Sequence, residues 1–113
     1  GRKMTDKELL ELAAKAAGYE ARWFGDVFCR DTKLEPYPWR GWNPLTDDGD
    51  ALRLAVKLKI DVVFDFDRVM AVFGSNDGTC VTEYFYELPT PTDQYAATRR
   101  AIVRAAAEIG KTL

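Results

Sequence analysis

Residues 47–74 read DDGDALRLAVKLKIDVVFDFDRVMAVFG, and the change of period inside this stretch decides the fold class. From Asp47 to Lys59 the apolar residues recur at helical spacing, with Ala51, Leu52, Ala55 and Leu58 on one face. Carboxylates open the run and lysines close it, matching the positive N-terminal and negative C-terminal ends of a helix dipole. From Ile60 onward the apolar residues become β-branched and aromatic, and they alternate with Asp61, Asp65 and Asp67 at period two. A helix followed directly by an antiparallel meander is therefore expected, with a first break at Asp67-Arg68.

Working outward, SNDG (75–78) is a strong turn signal and TCVTEYFYE (79–87) a third strand. In that strand Cys80, Thr82, Tyr84 and Tyr86 face one way, while Val81, Glu83, Phe85 and Glu87 face the other. PTPTDQYAATRRAIVRAAAEIGKTL, to the end of the chain, is a helix led by prolines and a Thr92 or Asp93 cap, with Ile102, Ala106 and Ile109 on one stripe. Upstream, Thr5 and Glu8 form a capping box for a helix from Asp6 to Ala17 that Gly18 stops. Its stripe is Leu9, Leu12, Ala13 and Ala16. YEARWF and VFCRD, split by Gly25-Asp26, form a hairpin. Between Thr32 and Thr46 the residues Pro36, Pro38, Gly41 and Pro44 spell a long loop. The order is α-β-β-α-β-β-β-α: an α+β chain with a five-stranded, mainly antiparallel sheet. Apolar residues on both faces of the strands, Val62, Phe64 and Phe66 against Val63 and Val72, favour an α-β-α sandwich.

At 113 residues, one domain over 4–113 is expected, with residues 1–3 read as a non-native leader before Met4. A net charge of −2 gives no field that would gather duplex nucleic acid or an anionic membrane. No membrane span or signal peptide is read, so the expected location is the cytoplasm. Cys29 and Cys80 lie far apart without a CxxC pattern and are expected as buried free thiols.

The chain has no histidine, which removes Ser-His and Cys-His pairs, the common zinc sites and the usual neutral-pH proton carrier. Neither a phosphate loop nor a dinucleotide fingerprint follows any strand. Two aspartate groups could hold a hard cation: Asp47, Asp48 and Asp50, and Asp61, Asp65 and Asp67. Helix capping accounts for the first and a solvated strip for the second, so no cofactor, metal or catalytic residue is expected.

The segment WRGWNPLTDDGD, Trp39 to Asp50, carries the functional signal. Trp39 and Trp42 bring π faces, Arg40 a planar cation and Asn43 an amide to a proline-stiffened loop that also holds Tyr37. Such residues dominate protein hot spots and also serve to stack and clamp a nucleotide. Against this, Trp42 and Pro44 suit a plug over the end of the core before the helix. A second basic surface could gather Arg22, Trp23 and Arg30 of the hairpin with Arg99, Arg100 and Arg104 of the last helix, with Tyr95 near.

WNPLTDDGDALRLAVKL, its Trp-x-Pro step into an Asp-rich helix start followed by a meander and an Ala-rich helix, resembles the phage ABA sandwich domain family. MTDKELLELAAKAAGYE is similar as well, so the resemblance covers nearly the whole chain from Met4. Trp42, Asn43, Pro44, Asp48 and Ala51 to Leu54 match the motif. The resemblance implies a small bacteriophage or prophage protein with a sheet between helical layers and no established activity, and it carries over no catalytic residue. Two readings of function follow. One is a non-enzymatic accessory protein that binds a host or phage protein through Tyr37–Asn43 and self-associates. The other is a nucleotide-binding protein using Trp39 or Trp42 with Arg40, Arg22 or Arg100. A metal enzyme built on Asp47, Asp48, Asp50 or Asp65 is a distant third.

Overall fold

The fold is described from a computed structural model, over residues 3–74, 78–85 and 91–113, with side chains in the last stretch from residue 94. The Asn76-Asp77 part of the expected turn, Tyr86 and Glu87, and the side chains of Thr92 and Asp93 lie outside the described residues. The elements are α1 (Asp6–Ala17), β1 (Ala21–Phe24), β2 (Val27–Asp31), β3 (Trp39–Gly41), α2 (Asp48–Leu58), β4 (Asp61–Phe64), β5 (Arg68–Val72), β6 (Cys80–Tyr84) and α3 (Pro91–Lys111).

α1 has its expected bounds because both halves of the capping box form. The Glu8 amide donates to Thr5 Oγ1 (3.2 Å), and the Thr5 amide donates to Glu8 Oε1 (3.1 Å). Gly18, at φ 75°, ends the helix in the left-handed region that a side chain disfavours. α2 starts where the Asp47 side chain accepts from the Asp50 amide (2.8 Å) and ends on Lys59, a non-glycine residue at φ 58°.

Two expectations about the strands are corrected. The 32–46 segment is not wholly loop, since Trp39–Gly41 holds no proline and pairs antiparallel with β2 as a third strand. The described residues therefore form six strands, in two three-stranded antiparallel sheets, β1-β2-β3 and β4-β5-β6, rather than five in one. The α-β-α sandwich is corrected too. α3 packs against β5 and β6 on one face of the second sheet. The register puts Val63, Met70, Val72, Cys80, Thr82 and Tyr84 on the other face, where Val63, Cys80 and Tyr84 are exposed. Apolar residues on both faces of short strands do not require cover on both.

α3 is the organising helix and contacts α1, α2 and the second sheet. It can do so because its buried positions are mostly Ala97, Ala101, Ala105, Ala106 and Ala107, with Val103 and Ile102. Small residues let α1 approach with its own Ala13, Ala14 and Ala17. At Gly110 the approach is closest: a Cβ there would stand 2.2 Å from the Leu12 carbonyl oxygen. The first sheet joins the same core through large side chains, Phe28 and Trp42, which tilt together at 6.1 Å between ring centroids. Within α2, Leu54 is buried with Ala51 and Ala55, and Leu52, expected on the buried stripe, is 64% exposed. Cys29 is buried as expected; Cys80, on the uncovered face, is exposed.

Candidate functional site

The loop that carried the functional signal is split by its own geometry. Successive strand residues point to opposite faces, so Trp39 and Arg40 in β3 cannot serve one pocket together. Asp31 lies opposite Trp39, Arg30 opposite Arg40 and Cys29 opposite both Gly41 and Arg22. The outer face of the first sheet thus carries Arg22, Phe24, Val27 and Trp39, and the inner face Trp23, Phe28, Arg30 and Arg40.

On the outer face Phe24 meets Trp39 edge-on at 5.5 Å, and the Arg22 guanidinium lies 5.0 Å from the Trp39 ring centre. Phe24 and Val27 are each about half exposed, Trp39 is half-buried, and Tyr37, two residues before Trp39, is 78% exposed. The Asp31 carboxyl on the same face is held below its ordinary value, chiefly by the side-chain hydrogen bond from Lys33, whose own pKa is raised by it. An aromatic group with one cation beside it, standing out from a hydrogen-bonded sheet, is equipped to bind and has no group placed for chemistry.

Trp42 is corrected from a binding residue to a core residue. It is 4% exposed, meets Tyr19 edge-on at 5.5 Å, and its amide donates to the Phe28 carbonyl (2.8 Å). Asn43 is engaged locally. Its Oδ1 accepts from the Leu45 amide (3.0 Å), its carbonyl from the Asp47 amide (2.9 Å), and its own amide donates to Asp50 Oδ2 (3.0 Å). The Trp-Asn-Pro step is therefore the hinge that sets α2, with Pro44 fully buried behind it.

The second basic surface does not assemble. Arg100 pairs with Asp6 (3.0 Å), Arg99 with Asp48 (2.6 Å), and Arg104 with Glu83, which ties α3 to α1, α2 and β6 respectively. A different cation group does gather on the inner face of the first sheet. The Arg30 guanidinium lies 3.6 Å from the centre of the Tyr19 ring and the Lys57 ammonium 5.0 Å from it, with Arg40 across the ladder from Arg30. Among the described residues none of these three has a carboxylate partner, and Arg30 Nε is buried without an acceptor. The signal was faint in sequence, because Lys57 is 27 positions from Arg30 and only the register brings Arg40 to them.

Sequence reasoning also missed a cavity of about 420 Å³ between α2, β4 and α3, floored by Ala51, Val62, Phe85 and Ile102 and rimmed by Leu52, Phe64 and Tyr95. Each rim residue sits in an ordinary amphipathic pattern, so nothing local marks it. The carboxylates behave as structural groups: Asp47 caps α2, Asp50 pairs with Arg53 (2.9 Å), and Asp67 pairs with Arg68 (2.9 Å). Among the described residues no cluster of three metal-ligating side chains forms, and no helix is long and apolar enough to cross a membrane. No family model matches the chain, and no curated protein or solved structure is significantly similar to it.

Proposed function

We propose that the chain is a non-catalytic binding module, a phage or prophage accessory protein acting in the host cytoplasm, whose protein partner docks on the outer face of the first sheet. One observation carries the reading: Trp39, Phe24 and Arg22 are packed against one another yet stand out from the sheet, a preorganised contact that loses little side-chain freedom on binding. The complement is a partner with an apolar projection and a carboxylate for Arg22. The phage assignment rests on the WNPLTDDGDALRLAVKL resemblance alone.

The test places a photo-crosslinking residue at Val27 and, separately, at Met70 on the exposed face of the other sheet, in the bacterial host. A discrete adduct from Val27, lost with Arg22→Glu or Trp39→Ala and absent from Met70, supports the reading. Equal labelling from both positions refutes it.

A second reading is favoured by the Arg30, Arg40 and Lys57 group, which would accept a phosphate on the inner face. It relocates the nucleotide hypothesis, since Trp42 is buried and Arg22 and Arg100 lie elsewhere. Thermal stabilisation by inorganic phosphate or a mononucleotide, removed by Arg40→Gln, marks this site; a shift untouched by Arg40→Gln excludes it.

A further inference from the structure

The second sheet has two edges, and they are treated differently. On β6 the edge is engaged, since Arg104 Nη1 donates to the Thr82 carbonyl (3.3 Å). On β4 no strand pairs with the outer edge among the described residues. The Asp65 amide donates to the Arg68 carbonyl (2.8 Å), and bonded pairs alternate along an antiparallel ladder. Asp61 and Val63 therefore spend their backbone groups on β5, and the N–H and C=O of Val62 and Phe64 point outward. An open edge of this kind templates another strand unless something blunts it.

Beside this edge lies a group of exposed apolar side chains. Leu52 and Val56, one turn apart on α2, are 64% and 59% exposed; Phe64 and Tyr95 are 63% and 58% exposed. At roughly 200 Å² per aromatic side chain, Phe64 and Tyr95 each leave on the order of 120 Å² in water. With the two aliphatic residues the patch reaches the few hundred Å² that mark a contact surface. The nearest cation and anion of the rim, Arg99 and Asp48, are already paired, so the patch repels no neutral copy of itself.

We propose that two copies of this chain pair antiparallel through β4 about a two-fold axis at Val62, giving one six-stranded sheet and closing the cavity between α2, β4 and α3 against the partner's. Symmetry and charge select this register. Residues opposite one another share a face, so the two numbers must sum to an even value; Val62 then meets Val62 of the other copy with both outward groups, whereas Phe64 faces Ile60, whose amide already donates to the Ala55 carbonyl (2.9 Å), so the ladder there is one-sided. Centring on Val63 would set Asp61 against Asp65 of the other copy, a like-charge opposition. Centring on Val62 sets Asp61 against Val63 and brings Asp65, just past the end of β4, toward Lys59, the α2 cap residue that precedes the strand. Both Asp65 and Lys59 are exposed and free of ion pairs among the described residues. The edge thus offers its own complement only to a second copy in that register.

The experiment is sedimentation equilibrium of the 113-residue chain, with Leu52→Asp, Val62→Pro, Asp65→Lys, Lys59→Asp and the Asp65→Lys/Lys59→Asp double variant. Far-UV circular dichroism confirms that each variant is folded; Leu52→Asp and the charge variants change exposed side chains only. The expected result is a dimer in the micromolar range that Leu52→Asp and Val62→Pro dissociate. Each single charge reversal should weaken it about tenfold, as like charges now face across the axis. The double variant should restore it. A monomer at 100-fold higher concentration, on the order of 0.1–1 mM, overturns the proposal. So does a dimer indifferent to Leu52→Asp, or one that the double charge variant leaves as weak as the singles. A dimer dissociated by Trp39→Ala instead places self-association on the first sheet and overturns it as well; the Val27 adduct would then join two copies of this chain, which its mass distinguishes from an adduct to another protein.

Discussion

Substituting alanine for glycine should have opposite effects at two helical positions, and the structure gives both signs. At Gly110 the new Cβ would stand 2.2 Å from the Leu12 carbonyl oxygen and 3.0 Å from its carbon. Both are backbone atoms of α1, so no side chain can rotate away. Restoring an ordinary carbon–oxygen contact needs α1 and α3 to separate locally by about 1 Å. A gap of that size forfeits roughly a quarter to a half of each ~0.1–0.2 kcal/mol contact around it. Spread over a few dozen atom pairs among Leu9, Ala13, Ala106 and their neighbours, the loss is about 1–3 kcal/mol, the usual scale of overpacking. The helical preference of Ala over Gly offsets at most ~1 kcal/mol, and less here, one residue from the end of α3. The net expectation is a loss of about 1–2 kcal/mol, or a fall in Tm of roughly 4–8 °C for a chain of this length. At Gly49 the nearest atoms to a Cβ are Arg53 Nη2 (3.1 Å) and Nη1 (3.2 Å), the far end of a flexible side chain that is 69% exposed, and the capping Asp47 Oδ2 (3.3 Å), which need give by only a few tenths of an ångström. Gly49→Ala should therefore stabilise, by about 0.5 kcal/mol. Urea unfolding followed by circular dichroism measures both. A Gly110→Ala variant as stable as the parent would show that the α1–α3 approach is not tight, and the account of α3 as the organising helix would fall with it.

Lys59→Gly should stabilise the single chain by about 0.5–1 kcal/mol, because it relieves a side chain at φ 58° in the cap of α2; an unchanged urea midpoint would contradict this. Trp42→Ala should cost about 3–5 kcal/mol as a large-to-small change in the core, whereas Trp39→Ala should cost far less, and equal losses would undo the division of the loop. The Asp31 carboxyl should titrate below 3.8 by NMR, and Lys33→Met should return it toward that value, since the Lys33 hydrogen bond is the main cause. The folded-state value is the lower one, so this pair stabilises the fold above about pH 4 and the contribution is lost as pH falls through the folded value. The urea midpoint of Lys33→Met should accordingly fall less steeply than the parent's below about pH 4.

Most element boundaries were legible because local chemistry sets them. Thr5 with Glu8, Gly18 and Asp47 act within a few residues of themselves, and each falls where its pattern placed it. β3 was not legible, since Trp39–Gly41 is three residues between prolines and an aromatic, and only pairing with β2 makes it a strand. The split into two sheets was hidden for the same reason: patterning reports that a residue lies in a strand, not which edge the strand joins. At the site, composition singled out a dozen residues and left Trp42 and Pro44 between binding and plugging the core. Alternation then sent Trp39 outward, Arg40 to the other face and Trp42 into the core. The Arg30, Arg40 and Lys57 group and the cavity beside β4 depend on contacts between elements distant in sequence, which no window of residues contains.

The seam between α1 and α3 also sets an order of events during synthesis. Its members stand at opposite ends of the sequence, with Lys15 reaching the Leu113 carbonyl across 98 positions (2.8 Å). Each sheet, by contrast, is made of three consecutive strands and can form from nearby chain. At a ribosomal rate of about 5–20 residues per second, α1 waits on the order of 5–20 s for its partner helix to emerge. Throughout that interval the Leu9, Leu10 and Ala13 face lacks its main partner and has only its slighter contact with α2, so a nascent chain halted before Ala101 should be the species that chaperones hold and proteases cut.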